Sequence, residues 1–235
     1  MKTGYTHVSI LIDKSGSMMR IKDDVIGGFN QLIEDQKKEP GELTVSLVQF
    51  DGNNGLDFKV TNDFSPINKV ISLNESNYQP RGNTPLNDAL GRLILETGNK
   101  LSSLTEDDRP EKVIFVTITD GLENASIEHT TSSVKSMIVV QEKIYKWKFI
   151  YIGANQDSFS EGNARGMSSS LNFDFNATGN KAMYSSLNKT ISKSRNIDAR
   201  EFLNMNISED LKTEYDKEKK DIEKEEKKSK VKGKK

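Results

Sequence analysis

The chain has 235 residues, enough for one sizeable domain with a buried core and an appendage. Its 34 Lys and Arg residues nearly cancel its 35 Asp and Glu residues, so no global field steers it to nucleic acid or to an anionic membrane. With no cysteine, disulfides and any Cys-based metal or nucleophile site are excluded. No apolar stretch approaches bilayer-spanning length, and the first residues are too short a run for a signal-peptide core. The expectation is a soluble, cytoplasmic protein.

Val8 to Ile12 is a short run of branched aliphatics and reads as a central buried strand. Directly after it comes Asp13-Lys14-Ser15-Gly16-Ser17, in which three oxygen-bearing side chains alternate. A carboxylate with two hydroxyls suits a hard divalent cation, while the same residues also make turns and cap helices. Ile21, Val25, Ile26, Phe29, Leu32 and Ile33 then recur at helical spacing up to Pro40-Gly41. Leu43 to Phe50 alternates as a strand, the segment 51–55 carries turn chemistry, and Leu56 to Phe64 returns as the second arm of an antiparallel hairpin. Ser65-Pro66 opens a short helix with Ile67, Val70 and Ile71.

Thr84-Pro85 reads as a helix entrance, threonine at the N-cap and proline at the first helical position, with Leu86, Ala89, Leu90, Leu93, Ile94 and Leu101 on one face. Val113 to Thr119 is another buried strand and ends on Asp120-Gly121. A helix through Val134, Met137 and Ile138, a strand from Trp147 to Ile152, a short helix through Ala164, a strand from Leu171 to Phe175 and a helix with Met183, Leu187 and Ile191 follow. This alternation predicts an α/β, doubly wound, mostly parallel six-stranded sheet with one antiparallel edge strand and helices on both faces. The domain is expected over residues 1–200. Residues 201–235 are dominated by Lys and Glu and are expected to be a solvated helix fraying into a tail.

Ligands of doubly wound sheets bind beyond the carboxyl ends of the strands, where the winding reverses. If the order is 3-2-1-4-5-6, Asp13 and Asp120 end neighbouring strands at that point, and the loop before the Thr84 helix opens on the same edge. Asp13, Ser15, Ser17, Thr84 and Asp120 would then face one spot from three loops. Such convergence is harder to explain as turn chemistry than any one loop alone.

These three segments, Asp-x-Ser-x-Ser after a first strand, Gly-x-Thr-Pro-Leu before a helix and Thr-Asp-Gly after a buried strand, resemble the von Willebrand factor type A (vWA) domain and its metal ion-dependent adhesion site. The similarity covers roughly residues 5 to 195, in the family's order, and is greatest to stand-alone members from bacteria and their phages. It implies that Ser15, Ser17 and Thr84 bind Mg²⁺ (or Mn²⁺) directly, with Asp13 and Asp120 acting directly or through water. Neutral hydroxyls leave the ion's charge unquenched, so it attracts a carboxylate from a partner protein. The resemblance also implies cooperation with an AAA+ ATPase, which no residue supports independently. Asp51, Asn155 and Asp157 are candidates for orienting waters or ligands around the ion, and Met18, Met19, Arg81 and Glu123 for its rim. Trp147 and Tyr151 are assigned to core packing.

Two other functions compete with a non-enzymatic docking module. A metal-dependent hydrolase or phosphotransferase would use Asp13 as nucleophile, but aspartate-nucleophile phosphatases carry a second aspartate two residues on, where this chain has Ser15. Neither His7 nor His129 is placed to activate a serine. Nucleic-acid binding through the lysine-rich end is the other, and there Tyr215 is the only aromatic available for stacking.

Overall fold

The computed structural model describes residues 1–53, 55–154 and 158–232, without the side chains of 229–232. Six strands, β1 (Lys2–Asp13), β2 (Glu42–Gly52), β3 (Leu56–Pro66), β4 (Pro110–Thr119), β5 (Lys148–Ala154) and β6 (Ser169–Phe173), form one sheet in the order β3-β2-β1-β4-β5-β6. All neighbours are parallel except β2 and β3, which pair antiparallel at the edge. The predicted fold class is the observed one.

Alternation along β1 sorts its side chains between two cores. Val8, Ile10 and Ile12 point to the face covered by α1 (Lys22–Gln36) and α5 (Ala177–Asn196). Leu11 points to the face covered by α2 (Leu86–Ser103) and α3 (Thr131–Lys143). His7 and Ser9 share that second face and are fully buried, so their polar atoms need partners inside the protein. His7 finds them in Thr44 Oγ1 (2.9 Å from Nδ1) and Ser9 Oγ (3.0 Å from Nε2). On the first face Gly28 of α1 lies against the Tyr184 ring of α5. A Cβ there would stand 2.1 Å from a ring carbon, so only glycine lets the two helices approach this closely.

Two buried cations close helix ends. Arg195 donates to the carbonyls of Gln36 (2.9 Å), Pro40 (2.9 Å) and Gly41 (3.1 Å) beyond α1. Lys112 donates to those of Ser194 (3.0 Å) and Arg195 (3.2 Å) at the end of α5. Positive charge at a helix carboxyl end satisfies carbonyls that lack an intrahelical partner and complements the dipole.

Several expectations are corrected. Ser65-Pro66 opens no full helix, only a 3-10 turn at Ile67–Lys69. Thr84 does not cap α2: Pro85 holds the N-cap position and Leu86 is the first helical residue. Past α4 (Ser158–Ala164), α5 and the short α6 (Ala199–Asn204), helix α7 (Ile207–Lys232) is not solvated along its whole length. Ile207, Leu211 and Tyr215 are buried in the α1–α5 core, and the Tyr215 hydroxyl accepts the Asp174 amide (2.9 Å). The composition hides this because one apolar stripe is diluted by three faces of Lys and Glu.

Candidate metal centre

β1 and β4 are neighbours, so Asp13 and Asp120 emerge side by side at the carboxyl edge. The loops they open are tied by backbone bonds to the segment before α2. Gly16 N donates to Gly82 O (3.1 Å), Arg81 N to Lys14 O (2.8 Å), and Asn124 N to Thr84 O (3.2 Å). Gly82 has φ +69° and its virtual Cβ would come within 2.8 Å of Gly52 O. This crossing of loops therefore requires glycine.

The oxygen side chains meet within this frame. Asp13 is completely buried; its Oδ1 accepts the Ser15 amide (2.6 Å) and its Oδ2 the Thr119 hydroxyl (2.6 Å). Ser15 Oγ and Ser17 Oγ share a hydrogen bond (3.2 Å), and Ser17 Oγ donates to Asp120 Oδ1 (2.6 Å). A Cβ on Gly121 would lie 2.9 Å from Thr84 Oγ1 and 3.6 Å from Asp13 Oδ2, so the missing side chain leaves a small space between those two oxygens. All five predicted residues stand at one edge.

The electrostatics of this spot are unusual. Burial pushes the Asp13 carboxyl up to about 7, against the hydrogen bonds from Thr119 and Ser15 that favour its charged form. Burial also raises Asp120, opposed by its bond from Ser17 and by the charge of Arg20. Among the described residues neither carboxylate forms an ion pair. Nor is any group of three or more His, Cys, Asp or Glu side chains arranged to hold a metal among them. The donors at this edge are instead two carboxylates and three hydroxyls, hard oxygen ligands that fit Mg²⁺ or Mn²⁺ better than zinc.

The release of Thr84 has a structural cause. A residue before proline is driven out of the helical region, and Pro85 supplies no N–H. Two amides of the first turn of α2 are taken by the loop after β4: Glu123 Oε2 accepts from Asn87 N (2.7 Å) and Ser126 Oγ from Asp88 N (3.0 Å). Asn124 Oδ1 accepts the Thr84 amide (2.9 Å). Asp88 returns the support, accepting the amides of Ile127 (2.8 Å), Glu128 (3.0 Å) and His129 (2.7 Å). Glu123 therefore holds two loops together and is not a free rim residue.

Met18 also differs from expectation, being buried in the core, whereas Met19 is exposed. Asp51 is buried and bound by Lys14 Nζ and by Arg81 Nε (3.3 Å); Asp57 completes the cluster with Lys14 (3.2 Å) and Arg81 (2.7 Å). This cluster braces the Asp13–Ser17 loop against the Arg81–Pro85 loop. Asn155 and Asp157 lie outside the described residues. Sequence reasoning missed Tyr78, whose buried hydroxyl donates to the Asp13 carbonyl (2.8 Å), and no local pattern marks it. Thr119 was within reach, as the residue before Asp120 with its side chain on the same edge. Trp147 and Tyr151 are core residues, Trp147 stacked on Phe115 with ring centroids 5.5 Å apart.

Solved structures share this architecture. Proximal thread matrix protein 1 from the mussel byssus superposes with a TM-score of 0.54 at 15% identity, over 81% of this chain and 46% of that one. The pilus adhesin SpaC from Lactobacillus rhamnosus GG gives 0.57 at 13%, over 82% and 30%. A von Willebrand factor type A protein from Catenulispora acidiphila gives 0.53 at 11%, over 81% and 42%. The fold is vWA-like. At these identities the likeness is one of fold alone, and the chain spans less than half the length of each of these proteins. A second mussel structure, 14% identical, has a zinc-occupied metal ion-dependent adhesion site. No family model and no curated protein matches the chain.

Proposed function

We propose that this vWA-like protein is a non-enzymatic interaction module that grips an acidic group of a partner protein through a divalent cation. Asp13, Ser15, Ser17, Thr84 and Asp120 hold the ion, of the Mg²⁺ type. The observation that carries this reading is the meeting of those five oxygen side chains from three loops, two of them carboxylates that form no ion pair among the described residues. The ion supplies positive charge at an exposed edge, where a partner carboxylate completes its coordination. The protein supplies rigidity through the Glu123 and Asp88 bonds and the Lys14–Asp51–Arg81 cluster, so that little ordering is left for the moment of binding. The module is the part up to residue 200, with 201–235 as an appended buttress. An AAA+ ATPase as partner rests on the family resemblance alone.

Catalysis is the weaker reading because both histidines are committed elsewhere. His7 is hydrogen-bonded at both nitrogens inside the second core, and the His129 ring packs against Gly91. Neither can serve as a general base for Ser15 or Ser17.

Isothermal titration with Mn²⁺ tests the reading. One ion per chain is expected, with Thr84→Ala and Ser15→Ala weakening it by at least about tenfold, the loss seen even for groups one layer further from a metal. Circular dichroism of both variants stays native. Retention of host proteins on the immobilised chain, equal with EDTA and with Mg²⁺, would rule the docking role out.

A further inference from the structure

Among the described residues, the rim of the proposed site carries one basic side chain that the fold leaves uncommitted. The loops that converge there bring three basic side chains, Lys14, Arg20 and Arg81. Lys14 and Arg81 are bound by Asp51 and Asp57. Arg20 is exposed and forms no ion pair or hydrogen bond among the described residues, although Asp23 and Asp24 follow it closely.

Its placement is set by local geometry. Gly16–Ile21 is a 3-10 turn, and with three residues per turn Ser17 and Arg20 stack on one side of it. Ser17 touches Asp120, and the charge of Arg20 acts on that same carboxylate. Arg20 therefore lies one 3-10 turn beyond Ser17, with its charge within reach of Asp120. The same two loops expose two apolar side chains, Met19 (54% exposed), next to Arg20 in the chain, and Leu122 (56%), two residues past Asp120. An exposed arginine fork without a partner is a recognition element for a second carboxylate.

Building on the docking reading, we propose that the partner presents an acidic segment with two carboxylates and an apolar neighbour. One carboxylate meets the ion, the other is taken by Arg20, and the apolar neighbour meets the exposed Met19 and Leu122 of the same loops. Arg20 is thus the specificity-determining residue of the face: the ion accepts any carboxylate, and Arg20 selects segments with a second one.

Fluorescence anisotropy with labelled peptides of the form Leu-Asp-Xaa-Leu and Leu-Asp-Ala-Xaa-Leu, Xaa being Asp, Asn or Lys, tests this in Mn²⁺. The native chain should bind in the order Asp, Asn, Lys, with Asp favoured over Asn by about twofold to fivefold, the range of an exposed ion pair. Arg20→Gln should erase that preference while Mn²⁺ still binds, no more weakly than in the native chain, and the Asn peptide is still held in an EDTA-sensitive way. Arg20→Glu should invert the order so that Lys binds best. An Asp-over-Asn ratio that is the same in native and Arg20→Gln protein, with binding still abolished by EDTA, overturns the role of Arg20 alone. Peptide binding that is absent or indifferent to EDTA overturns the docking reading and this inference with it.

Discussion

His7 shows how a single buried side chain makes stability depend on pH. Burial, and next the charge of Lys100, push its imidazole down to about 3, and the ring is stacked 3.7 Å above Phe64. Above pH 6.5 it is neutral whether the chain is folded or not. Between 6.5 and about 3 the unfolded chain takes a proton that the folded chain refuses, so stability falls as the pH falls. Urea denaturation at pH 6.5 and pH 5 should show the native protein losing about 1–2 kcal/mol more than His7→Gln over that interval. Equal losses would mean that His7 is charged inside the fold. Asp13 titrates with the opposite sign but is common to both proteins, so it drops out of the comparison.

Among the elements, α7 differs most from its composition. Ile207, Leu211, Tyr215 and the partly buried Ile222 form its inward stripe. Its outer edge meets α5 through Lys189 with Glu214 (2.9 Å) and Glu218 (2.6 Å), and through Lys193 with Asp210 (2.7 Å). The apolar stripe should dominate, since exposed ion pairs contribute little. Leu211→Ala should cost about 2–5 kcal/mol and Lys193→Ala less than about 1 kcal/mol in equilibrium unfolding. A reversed ranking would make the charge ladder the main attachment of this helix.

For the molecule as a whole, a site built only by the fold links the ion to stability. An ion that binds the folded chain alone adds about 2.7 kcal/mol at a hundredfold excess over its dissociation constant. Thermal unfolding should therefore move up with added Mg²⁺ or Mn²⁺, and Asp13→Asn should remove the shift. Without the ion, Asp13→Asn should melt no lower than the native protein, because Asp13 is buried with no cationic partner among the described residues. A metal-free variant that melts well below the native chain would show that Asp13 is held mainly for structure.

No helix among the described residues is long and apolar enough to cross a membrane. Strand identity, the alternation of strands with helices and the five oxygen residues were all legible in the chain, because each is marked by local periodicity or by its place just past a strand. Long-range contacts decided the rest. That β4 lies beside β1, so that Asp120 reaches Ser17, is a property of sheet order and not of either strand. Thr84 looks locally like a helix cap; only the packing of Glu123 and Ser126 against α2 satisfies those amides from elsewhere and leaves its hydroxyl available. Met18, Tyr78 and Leu211 are buried by segments far away in the chain, and no neighbour in sequence announces it. Local patterns name the atoms a site can use, and the tertiary structure determines which of them are already taken.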